Sequence, residues 1–113
     1  MINWLHFMLH RPENGWDPVP EDHVSKYSRE EWSIGVRPEL FKTLDEWVGG
    51  FTGKTVLDLG GGPGQYSVAF AQMGAKVTWH DVSNRYRAIS EMKAKMAGVD
   101  IRFSVGYHKR IQA

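Results

Sequence analysis

An aspartate and a cluster of four glycines in the middle of the chain have the types and spacing of a ligand site. Asp58 lies at the end of a short apolar run, and the glycines come just after it. They are Gly60, Gly61, Gly62 and Gly64. Glycine allows positive φ and close approach of a ligand to the backbone, while a carboxylate accepts hydrogen bonds from hydroxyl or amino groups. Residues 55–67 are therefore predicted to form a strand, a tight turn against which a ligand presses, and the start of a helix.

The spacing of the glycines separates two classes of nucleotide ligand. Gly60, Gly62 and Gly64 form a G-x-G-x-G pattern, whereas a dinucleotide fingerprint requires G-x-G-x-x-G and would need a glycine at Gln65. The dinucleotide register fails, so an NAD-binding oxidoreductase fragment is disfavoured.

A second carboxylate is predicted at the end of the next strand. Residues 76–82 indicate a strand that places Asp81 at its carboxyl end, with Val82 directly after it. A carboxylate in that position can accept hydrogen bonds from both hydroxyls of a ribose. The two acids and the glycine turn together favour a nucleoside-containing ligand.

These residues resemble the cofactor motifs of class I S-adenosylmethionine-dependent methyltransferases. The resemblance rests on residues 58–64, Asp-Leu-Gly-Gly-Gly-Pro-Gly, and on Asp81, and it extends over about residues 37–107, the first half of that fold. It implies that Asp58 favours the cationic methionine end of S-adenosylmethionine, that the glycine turn admits that end, and that Asp81 holds the ribose. It also implies that Val82 lies beside the adenine.

The chain departs from the family pattern in two respects. In the family, the third strand is usually followed by glycine and an acid that contacts the adenine amino group, whereas here Gly106 is followed by Tyr107, which can stack on or shield the base instead. The second half of the fold, which supplies catalytic and acceptor-binding residues, has no counterpart. Catalytic residues and methyl acceptor are therefore unassigned, and the lone His80 is interpreted as structural.

Helix and strand signals indicate how the chain positions these residues. The predicted strands are 55–59, 76–81 and 100–105, and the predicted helices are 38–48, 65–73 and 84–97. Right-handed crossovers between parallel strands then predict an α/β fold, a partial doubly wound parallel sheet with strand order 3-2-1 and N-terminal helices. Residues 1–36 are predicted to be a helical or irregular cap segment, and residues 37–113 an S-adenosylmethionine-binding Rossmann-like half domain.

The N-terminal segment contains weaker signals. A short helix is predicted over residues 2–9, and Ser28 is predicted to cap another that extends through Trp32. Tyr27 and Trp32 are candidates to line a lid over the cofactor, although packing at the edge of the core is favoured. Arg37 is a candidate partner for a cofactor carboxylate, although a solvated charge is the commoner role of an arginine at a helix start.

Composition excludes several classes of function. The 113 residues suffice for one domain, and 14 basic against 13 acidic residues give no electrostatic signal for nucleic acid or an anionic membrane. The absence of cysteine excludes disulfides and thiolate metal sites and fits a cytoplasmic protein, and no metal site is predicted. The apolar stretch 2–9 is too short to span a bilayer, so a soluble protein is expected.

The strand at 55–59 is predicted to be buried on both faces, yet the fourth strand that would pair with its outer edge is missing. The edge is therefore expected to be covered by a second copy of the chain, by a completing chain or by the N-terminal segment. Two functions stay open: a methyltransferase half that acts on a small-molecule acceptor, and a truncated, non-catalytic S-adenosylmethionine-binding or interaction module.

Overall fold

The computed structural model of the protein describes residues 15–28 and 36–107. Its helices are α1 (Asp22–Ser28), α2 (Pro38–Val48), α3 (Gln65–Gln72) and α4 (Asn84–Ala97), and its strands are β1 (Thr55–Leu59), β2 (Lys76–Asp81) and β3 (Ile101–Val105). The helix predicted at 2–9 and the tail after Tyr107 lie outside the described residues. From Pro38 onwards, the order of elements is the predicted one.

The three strands form one parallel sheet in the spatial order β1-β2-β3. This confirms the α/β class and the strand order 3-2-1 predicted from the sequence. Since both crossovers run in the same direction across the sheet, a right-handed connection puts α3 and α4 on the same face. The carboxyl ends of the strands, where the predicted ligand residues lie, consequently open at one edge of the layer.

Alternate residues of the strands divide the sheet into two faces. Val56, Val77 and Ile101 are register partners on the face towards the helices. Val77 forms the core together with Phe51 and Ala75, and Val56 and Ile101 pack against this cluster. The helix-facing side of the sheet is therefore the hydrophobic core of the described part of the chain.

The opposite face corrects the prediction that β1 is buried on both sides. Leu57 and Leu59 point away from the helices and keep 50% and 57% of their surface exposed. Among the described residues, the most extensive helix contacts with the sheet come from α3 and α4, the helices of its two crossovers, which lie on a single face. The apolar composition of β1 therefore predicted burial correctly for the face that packs against the helices and incorrectly for the opposite face.

Helix α2 begins and ends where the sequence predicts, and it packs through one residue of the predicted apolar stripe and through Phe41. Pro38 opens it, and Gly49 ends it in the left-handed conformation with φ 71°. The apolar spacing of its sequence predicts a stripe of Leu40, Leu44, Trp47 and Val48. Leu44 packs against the core, whereas Trp47 is 78% exposed, and the buried residue of the helix is Phe41. Phe41 lies 5.5 Å from the ring of Tyr66 and 4.6 Å from that of Phe70, measured between centroids. Aromatic contact with α3 therefore sets the orientation of α2.

The N-terminal part contains a helix that the sequence did not indicate. Ser28 is the last residue of α1 within the described ranges, and the helix that it was predicted to cap, through Trp32, lies outside the described residues. Helix α1 packs against α4, and Tyr27 contacts His23 and Lys26 of its own helix. The sequence of α1, Asp-His-Val-Ser-Lys-Tyr-Ser, contains little apolar periodicity, which explains why it was missed.

Candidate functional site

The glycine turn joins β1 to α3 across the end of β2. The amides of Gly60 and Gly61 donate to the carbonyl oxygen of His80 at 2.8 and 3.0 Å. Gly60, Gly62 and Gly64 have φ values of 72°, 54° and 86°. Residues that have a side chain rarely adopt this left-handed backbone conformation. The G-x-G-x-G spacing therefore corresponds to the three positions at which the turn requires glycine.

The inner side of the turn is occupied by the protein itself. A Cβ at Gly61 would overlap the indole ring of Trp79, and one at Gly64 would lie 3.1 Å from the Cα of Ser90. By contrast, no atom lies within 4 Å of a Cβ placed on Gly60, and the nearest to one on Gly62 is 3.9 Å away. The turn therefore has a packed side and an open side, and only the open side has room for a ligand.

Asp58 lies on the helix-facing side of β1, opposite Trp79 in the register. Its Oδ2 accepts a hydrogen bond of 2.7 Å from the hydroxyl of Ser67, a buried residue in the first turn of α3. This bond ties the end of β1 to the start of the helix, where the backbone dipoles favour a negative charge. Asp58 thus has a structural role at the turn in addition to the ligand contact implied by the resemblance.

Asp81 ends β2 and is held by two backbone amides. Its Oδ2 accepts from the amide of Gly62 at 3.0 Å, and its Oδ1 accepts from that of Ser83 at 3.0 Å. Each carboxylate oxygen can accept two hydrogen bonds, so one position on each oxygen is left for a ligand. The carboxylate is thereby fixed in orientation before any ligand arrives.

A cleft of about 340 Å³ opens beside Asp81 at the carboxyl ends of the strands. It is lined by Leu59, Gly60, His80, Asp81, Val82, Gly106 and Tyr107. Of the predicted ligand residues, the cleft brings together Gly60, Asp81 and Val82. Of the remainder, Gly61, Gly62 and Gly64 belong to the adjoining turn, and Asp58 lies near the end of β1. Arg37 is exposed ahead of α2 and is not part of this lining.

His80 forms the floor of the cleft and is 2% exposed. Its Nε2 lies 2.7 Å from the carbonyl oxygen of Gly106, and its Nδ1 lies 3.0 Å from the hydroxyl of Ser104. A carbonyl oxygen only accepts, so Nε2 carries the proton, and the ring joins β2 to the turn after β3. Both ring nitrogens are engaged inside the fold, which agrees with the structural interpretation of this histidine.

Sequence reasoning missed Leu59 and Asp17 as residues at or near this site. Leu59 was assigned to a buried strand, but its exposure makes it a wall of the cleft. Asp17 contacts Ser83 and Arg85 at the start of α4, one residue beyond the cleft. The only signal for Asp17 was its acidic type in an irregular segment, which does not specify a contact so distant in sequence.

Neither a metal centre nor a membrane helix is found in the described ranges, 15–28 and 36–107. No group of three or more histidine, aspartate or glutamate residues there is arranged to hold a metal ion. None of the helices α1 to α4 is long and apolar enough to cross a membrane.

The parallel sheet in the order 3-2-1, with a glycine turn after the first strand and a carboxylate after the second, defines a Rossmann-like half domain. The chain resembles the N-terminal half of class I S-adenosylmethionine-dependent methyltransferases in both motif and fold. Searches against protein-family profiles give no match. The similarity is instead to individual proteins and structures.

Two curated relatives are ubiquinone biosynthesis O-methyltransferases. The chain is 34% identical over 68 residues to the one from Shewanella pealeana, a match over 60% of this chain and 29% of that protein. It is 26% identical over 95 residues to the one from Nitrosomonas europaea, over 77% of this chain and 40% of that protein. The chain therefore spans well under half the length of these relatives.

Solved structures similar to this chain are also methyltransferases. A SAM-dependent methyltransferase from Thiobacillus denitrificans, in complex with S-adenosyl-L-homocysteine, has a TM-score of 0.57 and 26% identity, over 78% of this chain and 37% of that one. One from Geobacter sulfurreducens, in complex with the same ligand, has a TM-score of 0.56 and 27% identity, over 78% and 36%. The shared region is little more than a third of each of those chains.

Proposed function

We propose that this chain is the cofactor-binding half of an S-adenosylmethionine-dependent methyltransferase. The observation that carries the proposal is the orientation of Asp81, whose two oxygens are each fixed by one backbone amide beside an open cleft. A ribose presents two adjacent hydroxyls, which match two oxygens with one accepting position each. The relatives crystallised with S-adenosyl-L-homocysteine support the same ligand class.

The residues present fit the parts of that cofactor. Asp81 would accept from the ribose hydroxyls, and Val82 and Tyr107 would flank the adenine from two walls of the cleft. The open side of the turn, at Gly60 and Gly62, would admit the methionine end, towards which Asp58 contributes a negative charge. The bound cofactor supplies an electrophilic methyl group on its sulfonium, and these residues bind it and hold it in place.

The methyl acceptor is proposed to be a small molecule with a hydroxyl group. Both curated relatives are named O-methyltransferases of ubiquinone biosynthesis, which favours transfer to oxygen. We assign no catalytic residue, because all the roles proposed for the residues of the cleft and the glycine turn are in binding and orienting the cofactor. We further propose that residues 1–36 form a cap segment, that residues 37–113 form a half domain, and that the protein is cytoplasmic.

A second candidate function follows from the exposed face of β1. Leu57 and Leu59 present apolar surface next to the outer edge of β1, which has no partner strand within the described ranges 15–28 and 36–107, as expected where another chain docks. The chain would then bind the cofactor without turnover by itself and become active only with the partner that completes the sheet. Methyl transfer by the isolated chain to an acceptor that carries a hydroxyl group would exclude this role.

Calorimetric titration tests the ligand class. The chain is titrated with S-adenosylmethionine, with S-adenosylhomocysteine and with NAD under identical conditions. We expect the first two to bind at one site and NAD to show no heat of binding. A folded protein that binds NAD more tightly than either adenosyl ligand, or that binds none of the three, would overturn the proposal.

A further inference from the structure

Two carboxylates from distant parts of the chain meet at the first turn of α4. Asp81 arrives from β2 immediately before the helix. Asp17 arrives from the segment ahead of α1, and its Oδ1 accepts a hydrogen bond of 2.6 Å from the hydroxyl of Ser83. Its Oδ2 accepts from the amide of Arg85 at 2.9 Å. The short distance to the hydroxyl is typical of a charge-assisted bond.

Ser83 connects these two carboxylates. It is fully buried, its hydroxyl donates to Asp17, and its backbone amide donates to Oδ1 of Asp81 at 3.0 Å. The same hydroxyl oxygen accepts from the amide of Tyr86 and so caps the helix. Asp17 is therefore one residue removed from the carboxylate that faces the cleft.

The segment that carries Asp17 is fastened at further points. The guanidinium of Arg85 donates to the carbonyl oxygen of Val19, and the amide of Val19 donates to Asp17 Oδ1 at 3.0 Å. Val19 itself is 4% exposed. Residues 17–19 and the start of α4 thus form one hydrogen-bonded unit, and α1 continues from it along the side of α4.

We propose that Asp17 is a positioning residue for nucleoside binding, which fixes Ser83 and through it Asp81, and that it couples docking of the segment 15–28 to occupation of the cleft. This inference rests on the proposed function, since Asp81 is taken to bind a ribose. It adds a residue that neither the motif nor the cleft lining contains.

The physical reason is preorganisation. With Asp17 in place, Ser83 has both its hydroxyl and its amide engaged, so the peptide that donates to Asp81 has one orientation. Asp17→Asn replaces one of the two accepting oxygens by a donating NH₂ group, so either the hydroxyl of Ser83 or the amide of Arg85 loses its acceptor, and the ligand has to order this turn when it binds. By thermodynamic reciprocity, a bound nucleoside stabilises the docked segment by the same factor.

The experiment compares Asp17→Asn with Asp22→Asn by calorimetry. Asp22 is an exposed acid in the first turn of α1, so its substitution changes the net charge equally without touching Ser83. The probes are S-adenosylhomocysteine and its 2′,3′-dideoxy analogue. We expect Asp17→Asn to weaken binding of S-adenosylhomocysteine by about tenfold, to leave binding of the dideoxy analogue unchanged, and Asp22→Asn to have no effect on either probe.

A double-mutant cycle separates positioning from a general structural role. In an Asp81→Asn background, Asp17→Asn should cause no further loss of affinity, because its effect passes through Asp81. Equal losses for both probes, additive losses in the cycle, or unchanged affinity in Asp17→Asn would each overturn the inference and leave the proposed function intact. A folded wild-type protein that binds neither probe would overturn the proposed function and this inference with it.

A second measurement uses the wild-type chain and so does not depend on the folding of a variant. Saturation with S-adenosylhomocysteine should slow amide hydrogen exchange at Val19 and Arg85, whose amides both donate to Asp17. Exchange that slows only at the glycine turn and the cleft, with these two amides unchanged, would show that the segment and the site are uncoupled.

Discussion

The indole Nε1 of Trp79 donates a hydrogen bond of 3.1 Å to the carbonyl oxygen of Gly62, and the same ring fills the space where a side chain on Gly61 would point. Trp79 is fully buried at the centre of the sheet. The hydroxyl of Ser90 in α4 donates to the same carbonyl at 2.8 Å. The glycine turn is therefore held from its inner side by β2 and α4. These contacts within the protein fix the shape of the turn.

The first prediction is that Gly61→Ala destabilises the fold more than Gly53→Ala does. The new methyl group would overlap Cδ1 and Nε1 of a tryptophan that has no free space to move into. Overpacking of this kind costs up to about 3 kcal/mol. Urea denaturation followed by tryptophan fluorescence gives the free energy of unfolding.

Gly53→Ala is the matched control. Gly53 has φ 74°, and nothing lies within 4 Å of a Cβ placed on it, so its substitution introduces backbone strain without a clash. A loss of about 1 kcal/mol is expected there. If the two variants were equally stable, the contact between Trp79 and the turn would not be tight.

The second prediction concerns the ribose. Asp81→Ala should lower the affinity for S-adenosylhomocysteine about tenfold to hundredfold, since a charge-assisted hydrogen bond contributes roughly 1.5–3 kcal/mol. The variant also leaves the amides of Gly62 and Ser83 without their acceptor, so some loss of stability is expected. Asp100→Ala, an exposed acid before β3, should change neither quantity. Equal affinities of wild type and Asp81→Ala would refute the assignment of the ribose.

The third prediction separates backbone strain from the binding role of the turn. Gly62→Val places a branched side chain at φ 54° on the open side of the turn, where we expect it both to strain the backbone by roughly 1–3 kcal/mol and to block the ligand. Gly98→Val has similar strain, at φ 69° with open space around it, but lies far from the cleft at the end of α4.

Both variants should lose a similar amount of thermal stability. Only Gly62→Val should lose binding of S-adenosylhomocysteine in calorimetry at a temperature where both are folded. Undiminished binding by folded Gly62→Val would show that the open side of the turn is not the ligand side.

Local signals in the sequence were sufficient to predict the framework of the site. The glycine spacing, with the acid before it, predicted a turn that the φ values bear out, and the strand that ends at Asp81 is the observed β2. These features depend on the residues of one short segment and on the handedness of a single crossover. The conformation of the turn and of this strand follows from the residues within each of them, so both could be predicted without knowing the contacts made by distant residues.

Other features depended on contacts that a local pattern does not contain. Phe41 and Trp47 are both aromatic residues of α2, and only the position of α3 decides that the first is buried and the second exposed. The contact of Asp17 with Ser83 joins residues 66 positions apart, with no periodicity to mark it. The burial of β1 was mispredicted for the same reason, since it depends on which elements cover the sheet.

The last prediction concerns the uncovered side of β1. In the described part of the chain, β1 pairs only with β2, so its outer edge offers free amides and carbonyls beside the exposed Leu57 and Leu59. We expect this surface to be covered in solution by a second copy, a completing chain or the N-terminal segment. Light scattering after size exclusion and amide exchange of residues 55–59 distinguish these cases.

A paired lysine substitution identifies the surface involved. Leu57→Lys with Leu59→Lys should convert a dimer to a monomer, because charges on this face oppose its burial. Leu40→Lys with Val48→Lys is the control, since these residues of α2 are 43% and 41% exposed and belong to a helix that packs against the core on the other side of the sheet. A wild-type monomer at tens of micromolar concentration with slowly exchanging amides at Val56 and Leu57 would exclude the dimer and the completing chain. Under that result, the N-terminal segment would be the cover, and its removal should then produce self-association through β1.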